Sequence, residues 1–181
     1  MKLNEYSHYD ALGLKALLDK KEVTAQELHA VANKAMEALN PALNFLTASS
    51  PEEADRALNN IDPQAPFGGV PFLVKEGVGM KGLPMEAGAR LAKGLLCKED
   101  SELVKRLKHT GVVTLGSTNI PESANATTTE SVMYGPARNP WNTQHSTGGS
   151  SGGSSSAVAA GVVPMAQSSR SEEHTSELQS L

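Results

Sequence analysis

Apolar positions in this chain follow a helical period up to Leu39 and include continuous runs of strand length beyond Gly69. Leu28, Val31, Ala35 and Leu39 recur every three or four residues, and Thr24 with Glu27 forms a capping box just ahead of them. The pattern predicts a helix pair over 10–21 and 25–39, with Asn40-Pro41 as the stop. Ser50-Pro51-Glu52-Glu53 combines a capping residue, a proline at the first helical position and acidic groups near the positive end of a helix dipole. A short third helix ending near Asn59 is therefore expected.

After the Pro/Gly-rich link "DPQAPFGG" the texture changes. "VPFLV" is a continuous apolar run of strand length, as in a strand covered on both faces. Over 101–110, Leu103, Val104 and Leu107 share a helical stripe that Gly111 can terminate, and "VVTLGST" reads as the next strand. Strand, helix, strand implies a parallel α/β unit. A further helix over 154–160 and a strand in "VVPMA" are expected toward the end. No internal repeat is visible.

With 39% hydrophobic and 20% charged residues, the 181-residue chain has the composition of one soluble globular domain. Its net charge of -4 supplies no basic footprint, so nucleic acid and anionic membrane surfaces are not expected partners. No apolar run approaches the roughly 18 residues of a membrane span, and "MKLNEYSHYD" lacks a secretory core, which points to the cytoplasm. Cys97 is the only cysteine, excluding an internal disulfide and any CxxC site. His8, His29, His109, His145 and His174 show no HExxH or similar spacing, so no metal is expected.

The segment "STGGSSGGSSSAVAAG", 146–161, admits two readings. Its Gly and Ser content suits a flexible linker. A linker needs a folded unit on each side, however, and too little apolar sequence follows Ser156 to build one. The small apolar residues "AVAAGVV" instead suit a helix packed between neighbours, so the Gly-rich stretch is read as a helix entry. Such an entry presents unpaired N–H groups and is a natural anion or oxyanion site. A nucleotide-binding P-loop requires Lys after the second Gly, whereas Ser154 follows Gly153 here.

"GGSSGGSSSAVAAG" resembles the core of the amidase signature family, and "GVPFLVKEGV", "DSELVKRLKHTGVVTLGSTNIPE" and "TTTESVMYGPARNPWN" resemble successive blocks of it. The similarity runs over about 9–166 and is nearest to general amidases and 6-aminohexanoate cyclic dimer hydrolase. It implies an α/β fold, here the N-terminal part of the amidase signature fold: a mixed, mostly parallel sheet with flanking helices, preceded by the helix pair. It also implies a Ser, cis-Ser, Lys triad in which Lys75 matches the lysine and Ser150 the cis serine, following a cis bond after Gly149. A neutral lysine works there as a base through the bridging serine. Lys75 at the end of "VPFLV" would be desolvated, which disfavours its charged form. Ser151 is expected to hydrogen-bond within the relay and, with Gly149, to contribute to substrate binding, and Gly148, Gly152 and Gly153 are expected to permit close backbone approach. Asn125 falls in the block resembling a substrate-contacting loop, although a loop-capping role fits it equally well. Trp141 is expected to be a packing anchor. The resemblance implies a small-molecule amide as substrate and no cofactor; a homodimer of the parent protein is compatible with it. Two alternatives stay open: an amidotransferase A subunit releasing ammonia from glutamine, and a non-catalytic anion-binding α/β module.

The sequence departs from the family after "AAGVVPMA", where a block of the type G-x-D-x-G-G-S-I-R normally brings the nucleophilic serine and oxyanion donors. This chain reads "QSSRSEEHTSELQSL" instead. Family spacing from the cis serine lands on His174, and Ser168, Ser169, Ser171 and Ser176 do not inherit the role merely by being serines. "RSEEHTSELQS" resembles a translated sequencing adapter. The expected division is thus 1–167 as amidase domain and 168–181 as a non-native tail, with no amidase activity in the chain as written.

Overall fold

The computed structural model describes residues 1–169. Three helices open the chain: α1 (Leu3–Tyr6), α2 (Ala11–Asp19) and α3 (Ala25–Leu43). The capping box at α3 forms as expected, with Thr24 Oγ1 accepting from Glu27 N and Glu27 Oε2 accepting from Thr24 N. Asn40-Pro41 does not stop this helix, which continues to Leu43 and closes on Asn44 in the left-handed conformation. Pro41 falls in the last turn and on the exposed side, so the one amide bond it removes is offset by burying Leu43 and by Asn44 N donating to Asn40 O at 2.7 Å. α1 and the strand β1 (Leu46–Ser49) are elements that the periodicity did not announce, both being too short to establish a period.

α4 (Pro51–Asn59) ends as expected, although Ser50 makes no side-chain capping bond. β2 (Pro71–Lys75), α5 (Glu102–His109) and β3 (Val113–Thr118) form the anticipated unit, and β2 pairs parallel with β3. β1 joins antiparallel on the far side of β3, giving the order β1-β3-β2. Every residue of β2 is buried. Leu73 joins a core with Leu28, Ala32, Met36, Phe45, Val113 and Val162, while Phe72 and Val74 pack with Met80, Leu83 and Val104. The unbroken apolar run therefore reflects a strand with a core on each side. Since alternate residues share a face, Lys75 lies on the Leu73 side.

Two short hairpins follow, β4 (Glu130–Ser131) with β5 (Gly135–Pro136) and β6 (Arg138–Asn139) with β7 (Asn142–Ser146), before α6 (Gly152–Ala159). α6 begins two residues earlier than expected. Trp141 is no packing anchor: it sits in the β6–β7 turn, 85% exposed. The strand expected in "VVPMA" shrinks to a single parallel bridge between Leu73 and Ala166, continued by Gln167 N donating to Leu73 O at 2.9 Å. Pro164 has no N–H for a ladder, and Val162 and Val163 are spent on the core instead. Of the expected tail 168–181, only Ser168 and Ser169 are described; Ser171, His174 and Ser176 lie outside the described residues. Among the described residues no helix is long and apolar enough to cross a membrane, and no His/Cys/Asp/Glu group of three or more could hold a metal.

Candidate active site

Three segments converge on the end of β2. β2 delivers Lys75, the loop leading into α6 delivers Ser150, and the chain leaving α6 returns along the open edge of β2 with Gln167 and Ser169. Lys75 is 3% exposed, and its Nζ lies 2.8 Å from Ser150 Oγ. Burial pushes the Lys75 amine below its ordinary value of 10.5, because a charged ammonium forfeits hydration that two hydroxyl groups do not replace. The Gly149–Ser150 peptide bond is cis.

The Gly/Ser stretch is a packed helix entry rather than a tether. A Cβ on Gly153 would stand 2.3 Å from Asn119 N and 2.6 Å from Phe45 O. One on Gly149 would stand 2.7 Å from Thr128 O. Glycine is therefore required where α6 meets the ends of β1 and β3. The leading N–H groups of α6 are also committed within the protein, Gly152 N to Thr129 Oγ1 at 3.1 Å and Gly153 N to Asn119 O at 3.0 Å. Ser154 Oγ bonds Thr118 Oγ1 at 2.7 Å and donates to Gln167 O at 2.7 Å, tying α6 to β3 and to the returning chain.

Ser151 is placed differently from expectation. Its Oγ bonds neither Lys75 nor Ser150; it donates to Ser169 O at 3.0 Å and accepts from Ser169 N at 3.1 Å. Asn125 is exposed beyond the 3-10 turn Glu122–Ala124, and the structure does not bring it to Lys75, although neighbouring Ala126 O lies against Gly149. Gly149 itself is exposed beside the pair.

Two groups escaped the sequence reading. Ser169 Oγ accepts from Lys75 Nζ at 3.0 Å, so the amine has a hydroxyl on either side. Gln167 Oε1 accepts from Lys75 N at 3.1 Å, fixing the returning chain beside the lysine. Neither signal was available in the sequence, because both depend on pairing across the Leu73–Ala166 edge. Next to Lys75, Glu76 is 2% exposed; its Oε1 accepts from Glu86 N at 2.8 Å and Ala87 N at 3.1 Å, while Oε2 has no partner among the described residues. Burial raises its carboxyl above the ordinary value, against the pull of those amide donors.

The family model described as Amidase matches residues 27–170. The chain belongs to the amidase signature family. It is 36% identical over 155 residues to the A subunit of glutamyl-tRNA(Gln) amidotransferase from Rhodopirellula baltica, covering 82% of this chain and 31% of that protein. It is 36% identical over 158 residues to the putative amidase AmiC of Mycobacterium bovis, covering 87% and 33%. Among solved structures, 6-aminohexanoate cyclic dimer hydrolase with bound substrate superposes with a TM-score of 0.83 at 37% identity, covering 87% of this chain and 33% of the hydrolase. The chain thus spans about a third of the length of the relatives it matches.

Proposed function

We propose that this chain is the base-and-relay portion of an amidase that hydrolyses the C–N bond of a small carboxamide or cyclic amide through a serine acyl-enzyme. The observation that carries this reading is the 2.8 Å contact between the buried Lys75 Nζ and Ser150 Oγ, directly after the cis Gly149–Ser150 bond. In the proposed mechanism an uncharged Lys75 accepts a proton from Ser150 as Ser150 accepts one from the nucleophile. It returns the proton by the same route to the leaving amine. Burial favours the amine form that this requires. Ser151 acts by holding backbone rather than by relaying protons, and Asn125 serves the loop beside Gly149. The nucleophile and oxyanion donors belong to a block that the present sequence does not contain, so the 181-residue polypeptide does not turn over amides. In this reading the parent enzyme needs no cofactor, resides in the cytoplasm and is compatible with a homodimer.

A chimera tests this directly: residues 1–167 joined to the C-terminal two-thirds of 6-aminohexanoate cyclic dimer hydrolase, assayed for amide hydrolysis. Loss of the base is expected to lower kcat by roughly 10²–10⁴-fold in Lys75→Met. A folded chimera that turns over equally well without Lys75 overturns the reading.

Near-equal identity to an amidotransferase A subunit supports a second reading, ammonia release from glutamine for a partner protein. Glutaminase activity in the same chimera, exceeding its cyclic-amide activity, would favour it. The anion-binding module has less support, since the Gly152 and Gly153 amides are already used internally.

A further inference from the structure

Among the described residues Lys75 has two hydroxyl partners, and the proposed amidase mechanism employs one of them. Ser169 Oγ is 3.0 Å from Nζ, a distance equivalent to that of Ser150. An uncharged amine has two N–H donors and one lone pair, so it can donate to one hydroxyl while receiving the proton of the other. The two serines differ in access: Ser169 is exposed, whereas Ser150 is partly covered.

Ser169 is also held in place. Its N–H and its carbonyl are both bonded by the Ser151 side chain, which is 9% exposed. Immediately before it, Ala166 bridges to Leu73, Gln167 N donates to Leu73 O, and the Gln167 side chain accepts from Lys75 N. The hydroxyl is therefore carried on a short hydrogen-bonded segment beside a desolvated amine, the arrangement that activates a serine in simple Ser–Lys pairs. Ser168, one residue earlier, has no such contact among the described residues; its carbonyl accepts from Gln167 Nε2.

We propose that Ser169 and Lys75 form a second nucleophilic pair that captures an acyl or phosphonyl group from activated donors, once per chain. This inference rests on Lys75 being the uncharged base of the preceding section. With an alkyl fluorophosphonate, Ser169 Oγ forms the O–P bond, the P–F bond breaks, fluoride leaves, and the hydroxyl proton passes to Lys75 Nζ and then to water. The product is a phosphonyl ester on Ser169. Turnover of ordinary amides does not follow, because the nearby backbone amides are engaged rather than free to stabilise an oxyanion: Gly152 N with Thr129, Gly153 N with Asn119, and Ser169 N with Ser151. Capture is thus confined to donors whose leaving group departs readily.

The test treats the 181-residue protein with a fluorophosphonate probe, follows intact mass with time, and maps the adduct by peptide sequencing. One adduct per chain at Ser169 is expected, abolished in Ser169→Ala, unchanged in Ser168→Ala and slowed at least tenfold in Lys75→Met. Should Lys75→Met fail to fold, the wild-type rate against pH replaces it: labelling must rise with deprotonation of Lys75, followed independently by ¹⁵N NMR of Nζ. Labelling at Ser150, scattered labelling, or Ser169 labelling indifferent to Lys75 overturns the proposal. An amine that titrates below 10.5 without any Ser169 adduct sinks this inference alone. An amine titrating at the ordinary lysine value sinks the base assignment beneath it as well.

Discussion

Replacing Gly153 with alanine isolates the contact that seats α6, and with it Ser150 and Ser151, against the sheet. The added Cβ would lie 2.3 Å from Asn119 N, 2.6 Å from Phe45 O and 2.7 Å from Asn119 O, where ordinary contact begins at 3.4 Å. All three neighbours are backbone atoms, which cannot swing away as a side chain can. Relief requires α6 to retreat by about 1 Å, overpacking that costs about 1–3 kcal/mol. The same retreat stretches the 3.0 Å bond from Gly153 N to Asn119 O beyond hydrogen-bond range, leaving a buried amide unpaired for a further ~1–3 kcal/mol. Alanine's better helix propensity returns at most about 1 kcal/mol. The expected net loss is about 3 kcal/mol, read as a fall of roughly 9 °C in the thermal midpoint of a chain this long. Urea unfolding by circular dichroism gives the free energy, and ¹⁵N NMR of Lys75 Nζ reports whether Ser150 has moved away. A Gly153→Ala protein within about 0.5 kcal/mol of wild type, the scatter of an unremarkable surface substitution, would refute the seating argument.

Two further outcomes follow from buried charge. Folding depresses the Lys75 amine, so between its folded value and 10.5 the unfolded chain binds more protons, and wild-type stability must climb with pH relative to Lys75→Met. The slope is at most about 1.4 kcal/mol per pH unit, flattening above 10.5; urea titrations at several alkaline pH values showing a constant difference would contradict it. Glu76 has the opposite sign, since its carboxyl is raised by burial: stability is lost as pH rises from 4.5 toward the folded value, and Glu76→Gln should gain on wild type over that interval. Glu76→Ala should instead lose about 2–3 kcal/mol at neutral pH, because the Glu86 and Ala87 amides lose their acceptor; a Glu76→Ala protein as stable as Glu76→Gln would show those bonds to be idle. Tyr6→Phe removes the hydroxyl that donates to Val162 O at 3.1 Å and should cost about 1 kcal/mol in urea unfolding, with no loss expected if α1 is merely an appendage.

What could be read from the sequence was what is local. The α3 cap needs only Thr24 and Glu27, three residues apart, and the all-buried β2 announces itself through five consecutive apolar positions up to Val74. The strand-helix-strand unit follows from those runs, and the family blocks pointed to Lys75 and Ser150 as a pair although they stand 75 residues apart. The failures share a different cause. Pro41 is a helix breaker by propensity, but tertiary burial of Leu43 outweighed it. Trp141 reads as a core residue by type, yet a tight hairpin turn leaves it nothing to pack against.

Ser169 shows the same limit at the site itself. By composition it is one serine among several in a polar run, with nothing to separate it from Ser168. What separates them is contact between residues far apart in sequence: Ser151 Oγ holds both the N–H and the carbonyl of Ser169, whose hydroxyl meets Lys75 Nζ. The returning chain is fixed on one side by Gln167 N on Leu73 O and on the other by Ser154 Oγ on Gln167 O. Ser154 is in turn fixed by the glycine contacts that seat α6. The chemistry of Lys75 therefore depends on Gly153 through a continuous series of hydrogen bonds, and a helix entry built from glycine and serine is what allows the backbones to come close enough to make them.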